Sequence, residues 1–154
     1  MSYYFGSKGD LFGAAVNLRV RVSREIATAI SGDLLSAGPR LVRLSLTAWD
    51  DDAHGASFRT LLQWMATDIR SPEAIQNYAT EEIATPMAEA LEQSGLSITS
   101  ARERATLAGS QLVGLAMIRY VLHLEPIAGA SIDHLVEVVG PTIQRYLTGP
   151  LRPA

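Results

Sequence analysis

The chain has 154 residues, and its composition of 47% hydrophobic and 19% charged residues is typical of one globular domain rather than of a disordered chain. The absence of cysteine excludes disulfide bonds and thiolate metal sites. The net charge is −3, but residues 1–44 carry six basic and three acidic residues, so a polyanionic partner would meet the front of the chain.

The apolar periodicity predicts an all-α helical bundle of about six helices, without the two-residue alternation that indicates strands. The first helix is predicted to begin at Ser7, which has capping-box spacing to Asp10. The predicted boundaries are residues 7–30, 38–49, 58–70, 72–93, 100–124 and 131–147.

Serine and proline residues mark expected caps and interruptions of these helices. Ser100 and Ser131 are the predicted N-caps of the last two helices. Pro86 should kink the fourth helix near Glu82, and Gly140–Pro141 should break the sixth, because an internal proline removes a backbone hydrogen bond.

The fifth predicted helix is apolar almost all the way round from Leu112 to Leu124, so both of its sides should be buried. Helices of the same chain would cover one side and a second subunit the other, with the last helix serving the same contact. The alternative is that this helix is the hub of a monomeric bundle. We interpret the pattern as a homodimer whose interface contains Leu112, Leu115, Val121, Leu135, Val139 and Ile143.

The segment YYFGSKGDLF, at residues 3–12, is an unusual start for a helix. Lys8 lies in the predicted first turn, where its charge opposes the positive end of the helix macrodipole by about 0.3–1 kcal/mol. A phosphate at this terminus would reverse the effect, since backbone N–H groups, a lysine ammonium and a tyrosine hydroxyl all bind phosphate. The segment therefore indicates contact with a nucleic-acid backbone.

Extended to YYFGSKGDLFGAAV, this segment resembles the end of the recognition helix and the start of the fourth helix in the TetR family of bacterial transcriptional repressors. The resemblance implies that Lys8 and a hydroxyl of Tyr3 or Tyr4 contact phosphates of double-stranded operator DNA. FRTLLQWM, EEIATPMAEAL and the stretch from SQLVGLAMIRY to TIQRYLTG resemble the family's C-terminal ligand-binding domain. In that family the last two helices form the four-helix interface of a homodimer.

The resemblance divides the chain into two parts. Residues 1–12 correspond to the end of a helix-turn-helix head and the start of the linking helix, and residues 13–154 to a ligand-binding and dimerisation domain. The family's base-reading residues would precede Tyr3, where this sequence has Met1 and Ser2 alone. This form of the chain is therefore expected to dimerise without recognising an operator sequence.

Large aromatic and methionine side chains gather in the middle of the chain. Each is typical of ordinary core when taken singly, but together with a tyrosine hydroxyl they are typical of a pocket for a small apolar or amphipathic effector. The predicted pocket residues are Trp49, Phe58, Trp64, Met65, Tyr78, Met87, Met117 and Tyr120.

Metal binding and catalysis have little support in the sequence. Asp50–Asp52 and His54 are residue types that bind metals, but consecutive residues do not converge easily on one ion, so we interpret them as a solvated loop. The sequence contains no recognised catalytic motif. We therefore predict no enzymatic activity, metal or cofactor.

Arg119 is an unusual residue for the middle of an apolar helix, and burial of its charge requires a partner. Glu125 or Glu137 should provide one; the alternatives are an anionic ligand or a contact with the other subunit. His123 is expected to interact with the helix end or to pack as a ring, and His134 to lie at the surface.

These patterns together predict a cytoplasmic, homodimeric, ligand-responsive repressor of the TetR type. A stand-alone dimeric small-molecule-binding module, or an antagonist that forms mixed dimers with a full-length relative, is the alternative. The sequence has neither a signal-peptide pattern nor an apolar run long enough to span a bilayer, so no membrane association is expected.

Overall fold

The computed structural model describes residues 24–53, 55–67 and 79–152. Regular structure in these ranges is helical throughout, which confirms the predicted all-α fold. Residues 24–30 form the described part of α1. The following elements are a 3₁₀ turn (Leu34–Ser36), α2 (Ala37–Asp50), α3 (Gly55–Thr67), a first π segment (Ala79–Ala84), α4 (Thr85–Gln93), α5 (Ile98–Ala116), a second π segment (Met117–Val121) and α6 (Ile132–Thr148).

The core forms where α2 lies along α6 and where α5 packs against both α4 and α6. The second π segment continues α5 and contacts α3. We call residues 122–131, which link this segment to α6, the connector. The largest fully buried side chains are Ile30, Leu41, Val42, Leu46, Met87, Leu91, Leu135, Ile143 and Leu147.

Two glycines allow α2 and α6 to cross in backbone contact. A Cβ atom at Gly38 would lie 2.5 Å from the backbone N of Gln144 and 2.6 Å from the carbonyl O of Gly140. A Cβ atom at Gly140 would lie 2.9 Å from Cα of Pro39. Because real Cβ atoms do not approach backbone atoms this closely, the crossing requires glycine at both positions.

Gln144 holds the same crossing through hydrogen bonds. Its Oε1 accepts from the backbone N–H of Gly38 at 2.7 Å, and its Nε2 donates to the carbonyl O of Leu34 at 2.9 Å. Nε2 also donates to Thr148 Oγ1, at 2.8 Å, within α6. The N–H groups in the first turn of a helix have no partner in that helix, so a side chain of α6 supplies one for α2.

Two arginines bind the carbonyl ends of neighbouring helices. Arg40 on α2 donates through Nε and Nη2 to the carbonyl O of Ala29 in α1, at 3.0 and 2.8 Å. Arg104 on α5 donates through Nη1 to the carbonyl O atoms of Tyr146 and Gly149, at the end of α6, both at 2.9 Å. Each guanidinium satisfies free carbonyls and opposes the negative end of a macrodipole.

Serine residues cap α5 and α6, one of them three residues before its predicted position. Ser131 Oγ accepts from the N–H of His134 at 3.2 Å, which confirms the predicted cap of α6. The cap of α5 is Ser97, whose Oγ accepts from the N–H of Ser100 at 3.3 Å, so the prediction of Ser100 was wrong. Ser100 Oγ instead accepts from Arg104 Nε at 3.2 Å.

The two prolines that were predicted to interrupt helices have different effects. The first π segment ends at Ala84, two residues before Pro86, so the chain departs from α-helical hydrogen bonding near Glu82, where the kink was predicted. The predicted break at Gly140–Pro141 is absent, because α6 continues to Thr148. Pro141 is exposed, and on the outer side of a helix solvent can bond the carbonyl that loses its N–H partner.

Several predicted features lie outside the described residues: Tyr3, Tyr4, Ser7, Lys8, the boundary at residues 12–13, His54, Tyr78, and the side chains of Trp64 and Met65. Of the helices that the structure describes, none combines the length and hydrophobicity needed to cross a membrane.

Replacing Gly38 by alanine is expected to destabilise the protein by about 1–3 kcal/mol, because the added Cβ forces α2 and α6 apart where their backbones touch. Urea unfolding followed by circular dichroism measures the change.

Arg43→Ala is the matched control for this variant. Arg43 joins the same two helices through an exposed ion pair with Asp133, at 2.8 Å, which contributes at most about 1 kcal/mol. Equal destabilisation by the two substitutions would contradict the role of the glycine contact.

Candidate functional site

Three rings that the sequence assigned to a pocket meet where α2, α3 and the second π segment come together; we call Trp49, Phe58 and Tyr120 the aromatic cluster. Trp49 and Phe58 stack, with ring centroids 4.7 Å apart and planes 9° from parallel. Tyr120 meets Trp49 edge-on, at 6.1 Å and 87°. Both arrangements are favourable for aromatic pairs. All three residues are buried, with exposed fractions of at most 9%.

The tight turn between α2 and α3 brings Trp49 and Phe58 together. The N–H of Gly55 donates to the carbonyl O of Asp51 at 2.6 Å. A Cβ atom on Gly55 would overlap the carbonyl O of Trp49, so the turn requires glycine at this position. Arg59 donates through Nη1 to the same Trp49 carbonyl and fixes the end of α2 against α3.

Asp50, the last residue of α2, binds the consecutive residues Arg119 and Tyr120. Arg119 donates through Nη2 to Oδ2 at 2.8 Å and through Nε to Oδ1 at 3.3 Å, which makes a bidentate ion pair. The Tyr120 hydroxyl donates to Oδ1 at 2.5 Å. A carboxylate at a helix C-terminus is unfavourable by itself, so these two partners account for its presence there.

The three groups change one another's proton affinity. Burial raises the pKa of Asp50, but the hydrogen bonds from Arg119 and Tyr120 and the charge of Arg119 outweigh it and hold the pKa below 3.8. The hydrogen bond to Asp50 raises the pKa of Arg119. Burial, followed by the hydrogen bond to Asp50 and its negative charge, raises the pKa of Tyr120 well above 10. At neutral pH the site is therefore an ion pair with a neutral phenol.

Arg119 also holds the connector. Its side chain is only 11% exposed, and Nη1 faces away from Asp50 toward the backbone of residues 127–130. There it donates to three carbonyl oxygens, those of Ile127, Ala128 and Ala130, at 3.1, 3.1 and 2.8 Å. One guanidinium therefore ties the end of α2 to the connector.

The ionic partner of Arg119 is Asp50, whereas the sequence predicted Glu125 or Glu137. Glu125 instead accepts a hydrogen bond within the connector, from the N–H of Gly129 at 3.0 Å. Glu137 lies exposed on α6. The pair lies within one chain and joins positions 69 residues apart.

The acidic run at the end of α2 divides between helix and turn. Asp50 belongs to α2 rather than to the predicted loop, whereas Asp52 is exposed in the turn. Within the described residues no three His, Asp or Glu side chains lie close enough together to hold a metal ion. His123 is exposed and has a φ of 50°, just after the second π segment, and His134 is exposed as predicted.

The other described residues of the predicted pocket are Met87, fully buried in α4, and Met117, half-buried at the start of the second π segment. Two clefts of about 580 and 340 Å³ lie between α5 and the chain from the first π segment into α4. Both are lined by Thr80, Ala84 and Thr106, and neither includes a residue of the predicted pocket.

Four of the six residues predicted at a dimer interface are buried within the subunit: Leu112, Leu115, Leu135 and Ile143. Val121 and Val139 are half-buried. A partner could therefore contact only the opposite side of these helices. We call that side the outer face; it consists of Leu107, Gln111, Gly114 and Ile118 on α5 and the second π segment, and of His134, Val138, Thr142 and Arg145 on α6.

Comparison with known proteins finds both a family and solved structures that match this chain. Residues 36–147 match the family model of the tetracyclin repressor-like, C-terminal domain. Among solved structures, the chain is similar to a TetR-family regulator from Streptomyces coelicolor A3, at 32% sequence identity over 94% of each chain and a TM-score of 0.67. The search of curated proteins found no match.

Asp50→Asn is expected to destabilise the protein by about 1–2 kcal/mol, because Arg119 then lacks an anionic partner while it remains largely buried; partial exposure of Asp50 limits the loss. Denaturant unfolding at pH 7 measures the change. Asp52→Asn, two residues away and exposed, should leave stability nearly unchanged.

The difference between wild type and Asp50→Asn should also depend on pH. Because the pKa of Asp50 is lower in the folded state, its contribution is complete above about pH 4 and is lost as pH falls through the folded pKa. The difference between the unfolding free energies of the two proteins should therefore narrow as pH falls from 7 to 3. A gap of constant size would show that the carboxylate charge is not what stabilises the site.

Proposed function

The chain belongs to the TetR family of transcriptional regulators, and we propose that it is a ligand-responsive repressor of that type. The observation that carries the proposal is the family match over residues 36–147, together with a solved regulator that is similar along 94% of the chain.

In this proposal residues 1–12 are the end of the DNA-binding head and residues 13–154 form the ligand-binding and dimerisation domain. Tyr3, Tyr4 and Lys8 contact operator phosphates. The described end of α1 suits a rigid link to such a head: Ile26 and Ile30 are 4% and 1% exposed, and Arg40 binds the carbonyl of Ala29.

The aromatic cluster is the proposed effector site, together with Met117. The rings are packed against one another, so an effector would bind by displacing them. Their apolar surfaces, together with the Tyr120 hydroxyl and Asp50 at one edge, would then suit a small apolar or amphipathic molecule. Trp64, Met65 and Tyr78 remain predicted members of the same pocket, whereas Met87 lies in α4, which packs on α5, and is not part of the aromatic cluster. An effector that binds one conformation of the repressor more tightly by about 1–3 kcal/mol would give a typical allosteric response.

The outer face of α5 and α6 is the proposed homodimer interface. Val138 is 50% exposed although it is apolar, and Gly114 has open space around its Cα. Ile118 and Leu107 continue the same side of the helix at helical spacing. A small residue flanked by apolar ones permits the close helix approach that a four-helix interface needs.

Val138→Asp is expected to shift the protein from dimer to monomer, because it would place an unpaired carboxylate in the interface. Sedimentation velocity at micromolar concentration measures the distribution. Leu35→Asp is the control: Leu35 is also apolar and 75% exposed, but it lies in the 3₁₀ turn and is not part of the outer face. A dimer that persists in Val138→Asp would exclude the outer face as the interface.

The DNA binding that repression requires is tested in the native cell. Chromatin immunoprecipitation of the protein as that cell makes it should recover discrete DNA sites built of two half-sites about 34–36 Å apart. Lys8→Ala should lower occupancy at all sites by a similar factor, because a phosphate contact carries no sequence information. Arg152→Ala, at the exposed far end of the chain, is the control. Absence of any discrete site would contradict the proposed function.

A further inference from the structure

The connector is a loop that Arg119 joins to the rest of the fold. Its own backbone hydrogen bonds are short-range, such as the N–H of Ala128 to the carbonyl O of Leu124 at 2.8 Å. Leu122 and Leu124 are 56% and 52% exposed, and its apolar contacts with the core come from the half-buried Ile127 and Ala130. The bonds from Arg119 to three connector carbonyls are contacts that join this loop to the rest of the fold.

Asp50 sets the orientation of that guanidinium. A bidentate pair with a carboxylate fixes the guanidinium plane, so Nη1 points at the connector only while Nε and Nη2 are held by Asp50. The guanidinium has five N–H donors in a rigid fork, and a rotation that suits one edge moves the other. Loss of the Asp50 contact should therefore weaken the connector contacts as well.

The aromatic cluster touches this pair directly. Tyr120 shares Asp50 Oδ1 with Arg119 through its hydroxyl, and its ring lies edge-on against Trp49. Trp49 precedes Asp50 in α2 and stacks on Phe58. Arg119 and Tyr120 also share a π-helical turn, a local geometry that is frequent at functional sites. A displaced ring would thus move either the hydroxyl or the backbone that carries the carboxylate.

We propose that the aromatic cluster and the connector are conformationally coupled through Asp50 and Arg119, so that displacement of the rings by an effector loosens the connector. The connector leads directly into α6, which carries half of the outer face. An effector would in this way reach the dimer contact without first moving α1. The proposed effector site supplies the trigger for this coupling, but the coupling itself can be measured without an effector or DNA.

Hydrogen–deuterium exchange of the complete chain tests the coupling in a double-mutant cycle. Phe58→Leu loosens the stacked pair, Asp50→Asn removes the carboxylate charge, and the third variant carries both changes. We expect Phe58→Leu to speed exchange of the connector amides at residues 128–130 by about fivefold or more, within the usual range of allosteric coupling. Amides of the first half of α5 should not change.

The decisive outcome is the effect of Phe58→Leu in the Asp50→Asn background. If Asp50 transmits the change, the connector already exchanges fast there, and Phe58→Leu adds less than about twofold. The proposal is overturned if the rate increases caused by the two substitutions multiply fully in the double variant. It is also overturned if Phe58→Leu alone leaves the exchange rate of the connector amides unchanged.

Met87→Leu separates coupling from general loss of stability. Met87 is fully buried, but in α4, which packs on the other part of α5. The Met87→Leu variant should leave connector exchange at the wild-type rate, and acceleration equal to that of Phe58→Leu would overturn the proposal.

Tyr120→Phe removes one hydroxyl and keeps the ion pair, so it should accelerate exchange of the connector amides less than Asp50→Asn does. Failure of this coupling would leave repression untouched, and failure to find operator sites would leave the coupling standing.

Discussion

Burial of the Arg119 guanidinium is the constraint on which the arrangement around the aromatic cluster depends. A charge taken out of water is strongly unfavourable unless partners surround it, and Arg119 is 11% exposed. Its partners come from three places: the end of α2, the connector and the adjacent tyrosine ring, which lies 5.8 Å from the guanidinium carbon. The need to pair one buried guanidinium therefore fixes how the end of α2, the connector and the tyrosine ring are arranged.

Arg40 and Arg104 extend the same principle to two helix ends. The last carbonyls of a helix have no partner within it, and in this fold an arginine of a neighbouring helix binds them. These bonds are directional, whereas apolar packing between helices tolerates sliding. In a chain without cysteine, directional contacts of this kind, together with the glycine crossing of α2 and α6, give the bundle a defined geometry.

The sequence was sufficient to predict where the helices lie, but not which side of each helix is buried or which residues distant in the chain contact one another. Periodicity identified the central and last helices because it depends on local spacing alone. It could not assign Leu112 or Ile143 to core or interface, since an apolar residue looks the same whichever surface covers it. As ionic partners of Arg119 the sequence could suggest only acidic residues near it in the chain, whereas tertiary packing brings Asp50 to it. The rings of Trp49, Phe58 and Tyr120 were recognised by residue type, but their stacking follows from the Gly55 turn.

The position of α2 shows why one small site can influence both ends of such a regulator. α2 has 14 residues and is therefore about 20 Å long. Near its first turn it is held against α6 by Gly38, and there Arg40 binds the end of α1. At its last turn it carries Trp49 and Asp50. In the proposed mechanism the backbone contact at the first turn would act as a pivot, so that a displacement at the last turn would tilt α2. The tilt would reach α1 through Arg40, while the connector would respond through Arg119.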